Sequence, residues 1–201
     1  MLIASLALGC ASAARAGGPL GLDHAVAPTD RGIWARRDTL GLEFGVVAVD
    51  VGGALWLGGA EPLGWTFWQS LDAEVFGQLA AQAGKYAFGR QRPSQTSNPD
   101  SWFHGLKAQS FPSGEVTLQA SFVTPFVVQY GARQPLVWAL ELLPAYDAAA
   151  RVKEGAHWQS DVLAGWALGS AVGYFATRER SPFFLELLPR GARIGWRASV
   201  P

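Results

Sequence analysis

Gly165, Gly169 and Gly173 stand four residues apart in a stretch, 162–176, that carries no charge. Residues four apart lie on one face of a helix. The spacing therefore gives a bare stripe on which a neighbouring helix can approach closely, and it points to packed helices rather than sheet. Helical periodicity recurs elsewhere: Phe67, Leu71, Val75 and Leu79 repeat every four residues. The pattern predicts helices over about 39–58, 65–91, 113–130, 135–149 and 157–177, with Gly52-Gly53 and Gly58-Gly59 weakening the first of them. Pro93 ends the second, and the turn-rich tract from Ser94 to Ser101 opens a loop over 94–110. The tail, 182–201, is expected to form a short extended cover. The fold class that follows is all-α, a helical bundle in a single domain over 17–201.

Residues 1–16 resemble a signal peptide: an apolar run, then small residues with cleavage sites after Ala13 or Ala16. Cys10 keeps a lipoprotein reading open, and either reading makes the protein exported, periplasmic or membrane-associated. Sixteen basic residues balance sixteen acidic ones. With no net charge and no basic stripe, nucleic-acid binding is excluded. The apolar stretches 44–60, 116–132 and 162–176 are interrupted or short for spanning helices, and mean hydropathy is only +0.12. They read as buried bundle helices. Nine tryptophans leave membrane-surface contact open.

Three blocks carry chemistry. In the first, Lys85 and Arg92 are seven residues apart. On a continuous helix both would leave one face, with Gly89 between them leaving room for an anion. Arg is a planar fork and Lys a mobile point charge, a combination suited to phosphate. The second block is Phe111-Pro112-Ser113-Gly114-Glu115. Ser113 and Gly114 open an apolar helix whose free N–H groups and dipole favour an anion. In the third, His157 and Asp161 are four apart, so the carboxylate could hold one imidazole nitrogen and free the other to attack. Arg151, in the preceding loop, could reach the same anion. Each block alone has an ordinary structural explanation: a solvated basic face, an N-cap, a surface His–Asp pair.

Together, in this order, the blocks resemble the signature of the type-2 phosphatidic acid phosphatase and vanadium haloperoxidase superfamily: Lys-x6-Arg-Pro, Pro-Ser-Gly-His and Ser-Arg-x5-His-x3-Asp. The resemblance covers roughly 65–177. It implies an all-α bundle with the site at helix ends. Lys85, Arg92 and Arg151 would bind phosphate, with Ser113 and Gly114 adding hydrogen bonds. His157 would be the nucleophile, forming a phosphohistidine, and Asp161 would orient it. No metal and no cofactor are expected. The expected ligand is a phosphorylated lipid or a small-molecule phosphate.

Two positions depart from that pattern. Ala150 replaces a Ser, and Glu115 stands where the family has the His that protonates the leaving group. If a bound phosphate raised its pKa, Glu115 could itself serve as the acid. His104, in the 94–110 loop, is the other candidate and reads more readily as a surface residue. The expected function is hydrolysis of a phosphate mono- or diphosphate ester, of a lipid by family analogy. The alternative is a catalytically impaired member that binds a phosphorylated ligand or partner. A vanadate-dependent haloperoxidase ranks last.

Overall fold

The computed structural model describes residues 17–178 and the paired backbone of two strands that follow. The expected leader, 1–16, lies outside the described residues. Five α-helices among the described residues make the bundle: α1 (Arg36–Leu57), α2 (Pro62–Phe88), α3 (Gly114–Tyr130), α4 (Leu142–Lys153) and α5 (Gln159–Arg178). Strands β1 (Phe183–Leu188) and β2 (Gly191–Trp196) then pair antiparallel, with Phe183 opposite Trp196. The fold class is all-α, and the extended conformation expected of the tail takes the form of this hairpin.

α3 is the central helix. It is buried without a break from Val116 to Val127, as its uncharged sequence predicts. The glycine stripe of α5 faces it. A Cβ on Gly165 would lie 2.5 Å from the Ser113 carbonyl oxygen, one on Gly169 would lie 2.3 Å from that of Thr117, and one on Gly173 would lie 2.7 Å from the Thr124 Cβ. The two backbones are in contact, so any side chain there would force them apart.

The apolar core gathers on another side of α3, where Leu118, Phe122, Phe126 and Val127 pack with Val46 of α1. The Phe67 and Phe126 rings meet edge to face, with centroids 4.9 Å apart. Each fully buried side chain of this size contributes about 1.5–3 kcal/mol. Gly53 does not break α1. A Cβ there would lie 2.6 Å from the Phe67 ring, so the missing side chain is what seats the phenyl group.

Three sequence expectations need correction. α2 ends at Phe88 rather than near 91, because Gly89 turns left-handed (φ 45°, ψ 45°). Its backbone then packs on the following loop: His104 N–H donates to the Gly89 carbonyl at 2.8 Å, and a Cβ on Gly89 would lie 2.9 Å from the Gly105 nitrogen. Gly89 thus makes room for a loop, not for an anion. The predicted helix over 135–149 begins as a 3-10 turn (Pro135–Glu141), and α4 continues to Lys153, so Arg151 is helical rather than in a loop. Finally, α1 is not a buried helix. Only 17% of its apolar window is covered, and Phe44 and Trp56 are 71% and 89% exposed. It packs along one flank of the bundle, and its apolar residues point both inward and outward.

Candidate active site

The end of the bundle where α3 and α5 begin, and where α2 and α4 finish, collects the three blocks. α2 delivers Lys85 in its last turn. Its ammonium lies over Gly114, where an added Cβ would come within 3.0 Å of Nζ. A side chain on Gly114 would crowd that ammonium, so glycine leaves the lysine its place. Burial, and then the neighbouring Arg92 guanidinium, push the Lys85 pKa below its ordinary value. Arg92 itself lies beyond the helix end, in the loop after Gly89. The geometry of two turns on one helix face does not apply to this pair, and it is the loop that returns Arg92 to the site. Its guanidinium donates to the Gln109 carbonyl at 3.4 Å.

Ser113 caps α3 in an extended conformation but makes no side-chain capping bond. Its hydroxyl is buried and has no partner among the described residues. Its backbone N–H is taken by the Asp161 carbonyl at 3.0 Å. The free N–H groups of the α3 terminus therefore start at Gly114. An oxyanion is the kind of group that such an unpartnered buried hydroxyl, at a helix N-terminus, can serve.

His157 precedes α5 and is 2% exposed; Asp161, in the first turn, is fully buried. The imidazole Nδ1 is 2.7 Å from the Ser110 carbonyl oxygen and 3.7 Å from Asp161 Oδ2. A carbonyl only accepts, so Nδ1 carries the proton and Nε2 keeps its lone pair. This corrects the direct His–Asp hydrogen bond expected from the i, i+4 spacing: the two residues straddle the start of the helix. Asp161 instead holds the surroundings. Its Oδ2 accepts from Ser110 Oγ at 2.5 Å and from the Trp158 backbone N–H at 2.8 Å. The second of these is the reach-back of a carboxylate to a helix N-terminus. Its Oδ1 accepts from Arg90 at 2.5 Å. Burial lowers the His157 pKa, and nearby Arg92 and Arg151 lower it further, outweighing the pull of Asp161. Burial alone would raise the Asp161 pKa, but His157, Arg90 and the Ser110 hydroxyl together hold it below the ordinary value.

Glu115 has a different environment from the one expected. Arg36, at the start of α1, grips it with two hydrogen bonds of 2.6 and 2.8 Å, and Arg151 Nε lies 3.4 Å away. Burial would raise its pKa, yet the Arg36 hydrogen bonds and the charges of Arg151 and Arg36 overcome that and hold the carboxyl below its ordinary value. In this arrangement Glu115 is an anion, so a protonated Glu115 acting as the acid is not what these contacts favour. Arg151 is also paired with Glu154. Ala150 is fully buried in α4. His104 is exposed and bonded to Ser101 Oγ at 2.8 Å, as a surface loop residue.

The site thus brings together Lys85, Arg92, Ser113, Gly114, Glu115, Arg151, His157 and Asp161. The sequence reading missed Arg36, Arg90 and Ser110. Arg90 lies two residues before Arg92 in Gly89-Arg-Gln-Arg-Pro93, and local spacing alone does not say which arginine turns inward. Among the described residues no group of three or more His, Cys, Asp or Glu side chains is arranged to hold a metal ion.

Residues 68–182, more than half of the chain, match the PAP2 superfamily, and the protein belongs to that family. Over 94 residues it is 37% identical to lipid A 1-phosphatase of Porphyromonas gingivalis, covering 45% of this chain and 18% of that protein. Over 109 residues it is 26% identical to undecaprenyl-diphosphatase of Sulfolobus acidocaldarius, covering 53% of this chain and 52% of that protein. The chain thus spans about half, or less, of the length of these relatives. The crystal structure of Aquifex aeolicus LpxE shares the fold, with a TM-score of 0.54 at 16% identity over 74% of this chain and 88% of that one.

Proposed function

We propose that the protein is a lipid phosphatase that works through a phosphohistidine at His157. The observation that carries this reading is the fixed tautomer: Nδ1–H is held by the Ser110 carbonyl, and among the described residues Nε2 has no hydrogen-bond partner, with the charges of Arg92 and Arg151 nearby. Nε2 attacks phosphorus, the N–P bond forms, and the P–O bond to the leaving group breaks with its electron pair on oxygen. Lys85, Arg92 and Arg151 balance the charge on the non-bridging oxygens, and the Ser113 hydroxyl and the Gly114 N–H donate to them. Water then attacks the phosphohistidine, returning free imidazole and inorganic phosphate. Neither metal nor cofactor enters these steps.

A lipid substrate fits two features besides the names of the relatives. α1 is long and apolar enough to cross a membrane, and exposed apolar side chains on other helices, such as Leu79, Trp138, Leu163 and Phe175, extend the apolar surface. A groove of about 380 Å³ is lined by Leu42, Val46, Val49, Phe122, Leu140 and Leu143, and begins two turns along α1 from Arg36. We place the protein at a membrane, exported if the 1–16 leader acts as read. The test is phosphate release from lipid monophosphates and diphosphates in mixed micelles, beside a short-chain soluble phosphate. His157→Ala must abolish both release and an acid-labile phosphoprotein; activity that survives this substitution defeats the mechanism.

The ion-paired Glu115 favours a second reading, in which the site binds a phosphorylated ligand with little turnover. Full binding of a non-hydrolysable lipid phosphonate, together with no phosphate release from any substrate, would establish it.

A further inference from the structure

Asp23 belongs to none of the three blocks and lies before the residues that match the family, yet it is fully buried beneath the site. Both of its carboxylate oxygens are bound. Oδ1 accepts from the Ser160 N–H at 2.7 Å, and Oδ2 accepts from Ser160 Oγ at 2.7 Å and from Arg90 at 2.5 Å. Arg90, also fully buried, donates through its other terminal nitrogen to Asp161 at 2.5 Å and to Ser160 Oγ at 2.7 Å. From Asp161 the chain runs through the Ser110 hydroxyl at 2.5 Å, and from the Ser110 carbonyl to His157 Nδ1 at 2.7 Å. One guanidinium is thus shared between two carboxylates.

The segment carrying Asp23 is held in place along its length. Gly18 N–H donates to Asp100 at 3.0 Å, His24 N–H to the Gln159 side chain at 3.1 Å, and Thr29 N–H to the Lys153 carbonyl at 2.8 Å. It therefore ties the loop after α2 to the turn that presents His157. Gly18 adopts φ +68°, and a Cβ there would lie 2.0 Å from Asp23 Oδ2 and 2.9 Å from Arg90. Backbone and carboxylate are fitted to each other.

We propose that Asp23 is a positioning residue for the nucleophile, acting through Arg90, Asp161 and Ser110, and that the 17–30 segment is thereby a working part of the site. The inference rests on the reading of His157 as nucleophile. Without Asp23, Arg90 keeps its bonds to Asp161, Ser160 and the Pro99 carbonyl but loses one of its two carboxylates, so its charge bears on Asp161 alone and the Asp161–Ser110–His157 chain of contacts shifts with it. Misplacement on the order of 1 Å costs about a hundredfold in rate.

The test is Asp23→Asn in the full chain. Asparagine keeps the shape and an acceptor for the Ser160 N–H but removes the charge facing Arg90. The expected result is a fall in kcat of about tenfold to a hundredfold with KM within about twofold. In the double variant with Ser110→Ala, the losses should fail to multiply, since both act on one chain of contacts. Unchanged kcat, or losses that multiply, overturns the proposal. Ser160→Ala, a smaller excision, serves if Asp23→Asn does not fold. It removes one bond each from Asp23 and Arg90 and should lower kcat several-fold, and no change in kcat counts against the role. Proton NMR of His157 Nδ1–H needs no turnover: protection from exchange in the parent and its loss in the variant are expected, and equal protection in both overturns the proposal. A parent protein without phosphatase activity would defeat the functional reading alone, and the NMR comparison would still decide the role of Asp23.

Discussion

His157 Nδ1 lies 2.7 Å from the Ser110 carbonyl oxygen, a full ångström nearer than it lies to Asp161 Oδ2 at 3.7 Å. The backbone therefore fixes the tautomer, and the carboxylate fixes the backbone. Asp161→Asn should leave the Nδ1–H bond formed but loosened, because Ser110 Oγ and Arg90 lose a charged acceptor. Removing one partner of a buried ion pair typically costs about 3–5 kcal/mol. We expect Asp161→Asn to lower the unfolding midpoint and to cut kcat by about a hundredfold. Urea melts and steady-state kinetics on the same preparations check both, and a variant with parental kcat would show that Asp161 has no hold on the imidazole.

Glu115 bound by Arg36 has no proton to give at neutral pH. The leaving group must then depart as an anion, which a diphosphate tolerates and a lipid monophosphate does not. The expected result is a preference for diphosphate over monophosphate substrates. Glu115→His should narrow this preference by raising monophosphate hydrolysis about 10²-fold or more, the usual worth of general acid catalysis. Equal rates on both substrates in the parent protein would disprove the argument.

The pH profile follows from His157. Attack needs neutral Nε2, and burial beside Arg92 and Arg151 lowers its pKa. Activity should therefore persist below the ordinary histidine value of about 6.5 and fall only under more acid conditions. The stability term has the same sign. Between its lowered folded pKa and its unfolded one, His157 binds more protons unfolded, so stability rises with pH across that window and is lost as pH falls through it. Glu115, also depressed, adds stability present above its unfolded value and lost on acidification. Measurement of kcat/KM and unfolding midpoints from acid to neutral pH tests both. An acid limb above the histidine value would contradict the burial argument.

Gly165 and Gly173 make similar close approaches to α3, but at different distances from the chemistry. A Cβ on Gly165 meets the Ser113 carbonyl at 2.5 Å, while one on Gly173 meets Thr124. Alanine at either place should destabilise by about 1–3 kcal/mol, the usual cost of overpacking. Only Gly165→Ala should also depress kcat at temperatures where both variants are folded, because it moves the N-terminus that presents Ser113 and Gly114. Equal kcat losses would mean that the strain spreads along the whole helix pair.

How far the sequence could be read depended on range. Periodicity placed α3 almost to the residue, because an uncharged stretch with a Ser-Gly start is buried on every side and has no competing conformation. It placed the end of α2 wrongly, because it read Gly89 as a small residue within the helix rather than as a left-handed C-cap, and the loop that pairs with Gly89 lies fifteen residues on. It took α1 for a buried helix, because apolar content alone does not say whether protein or another apolar medium covers each face.

The sequence by itself determined the chemistry available: cations, a serine–glycine helix start and a histidine near an aspartate, in an order that marks the family. Tertiary structure decided how these groups are used. Glu115 is an anion because Arg36, 79 residues away in the chain, reaches it. His157 is oriented by a carbonyl because Ser110 is bonded to Asp161, which is held by Arg90 and, through it, by Asp23. Hydrogen bonds and ion pairs depend on separations of about 3 Å and on direction. Spacing along a helix supplies those within one turn, and only the packed chain supplies them between segments.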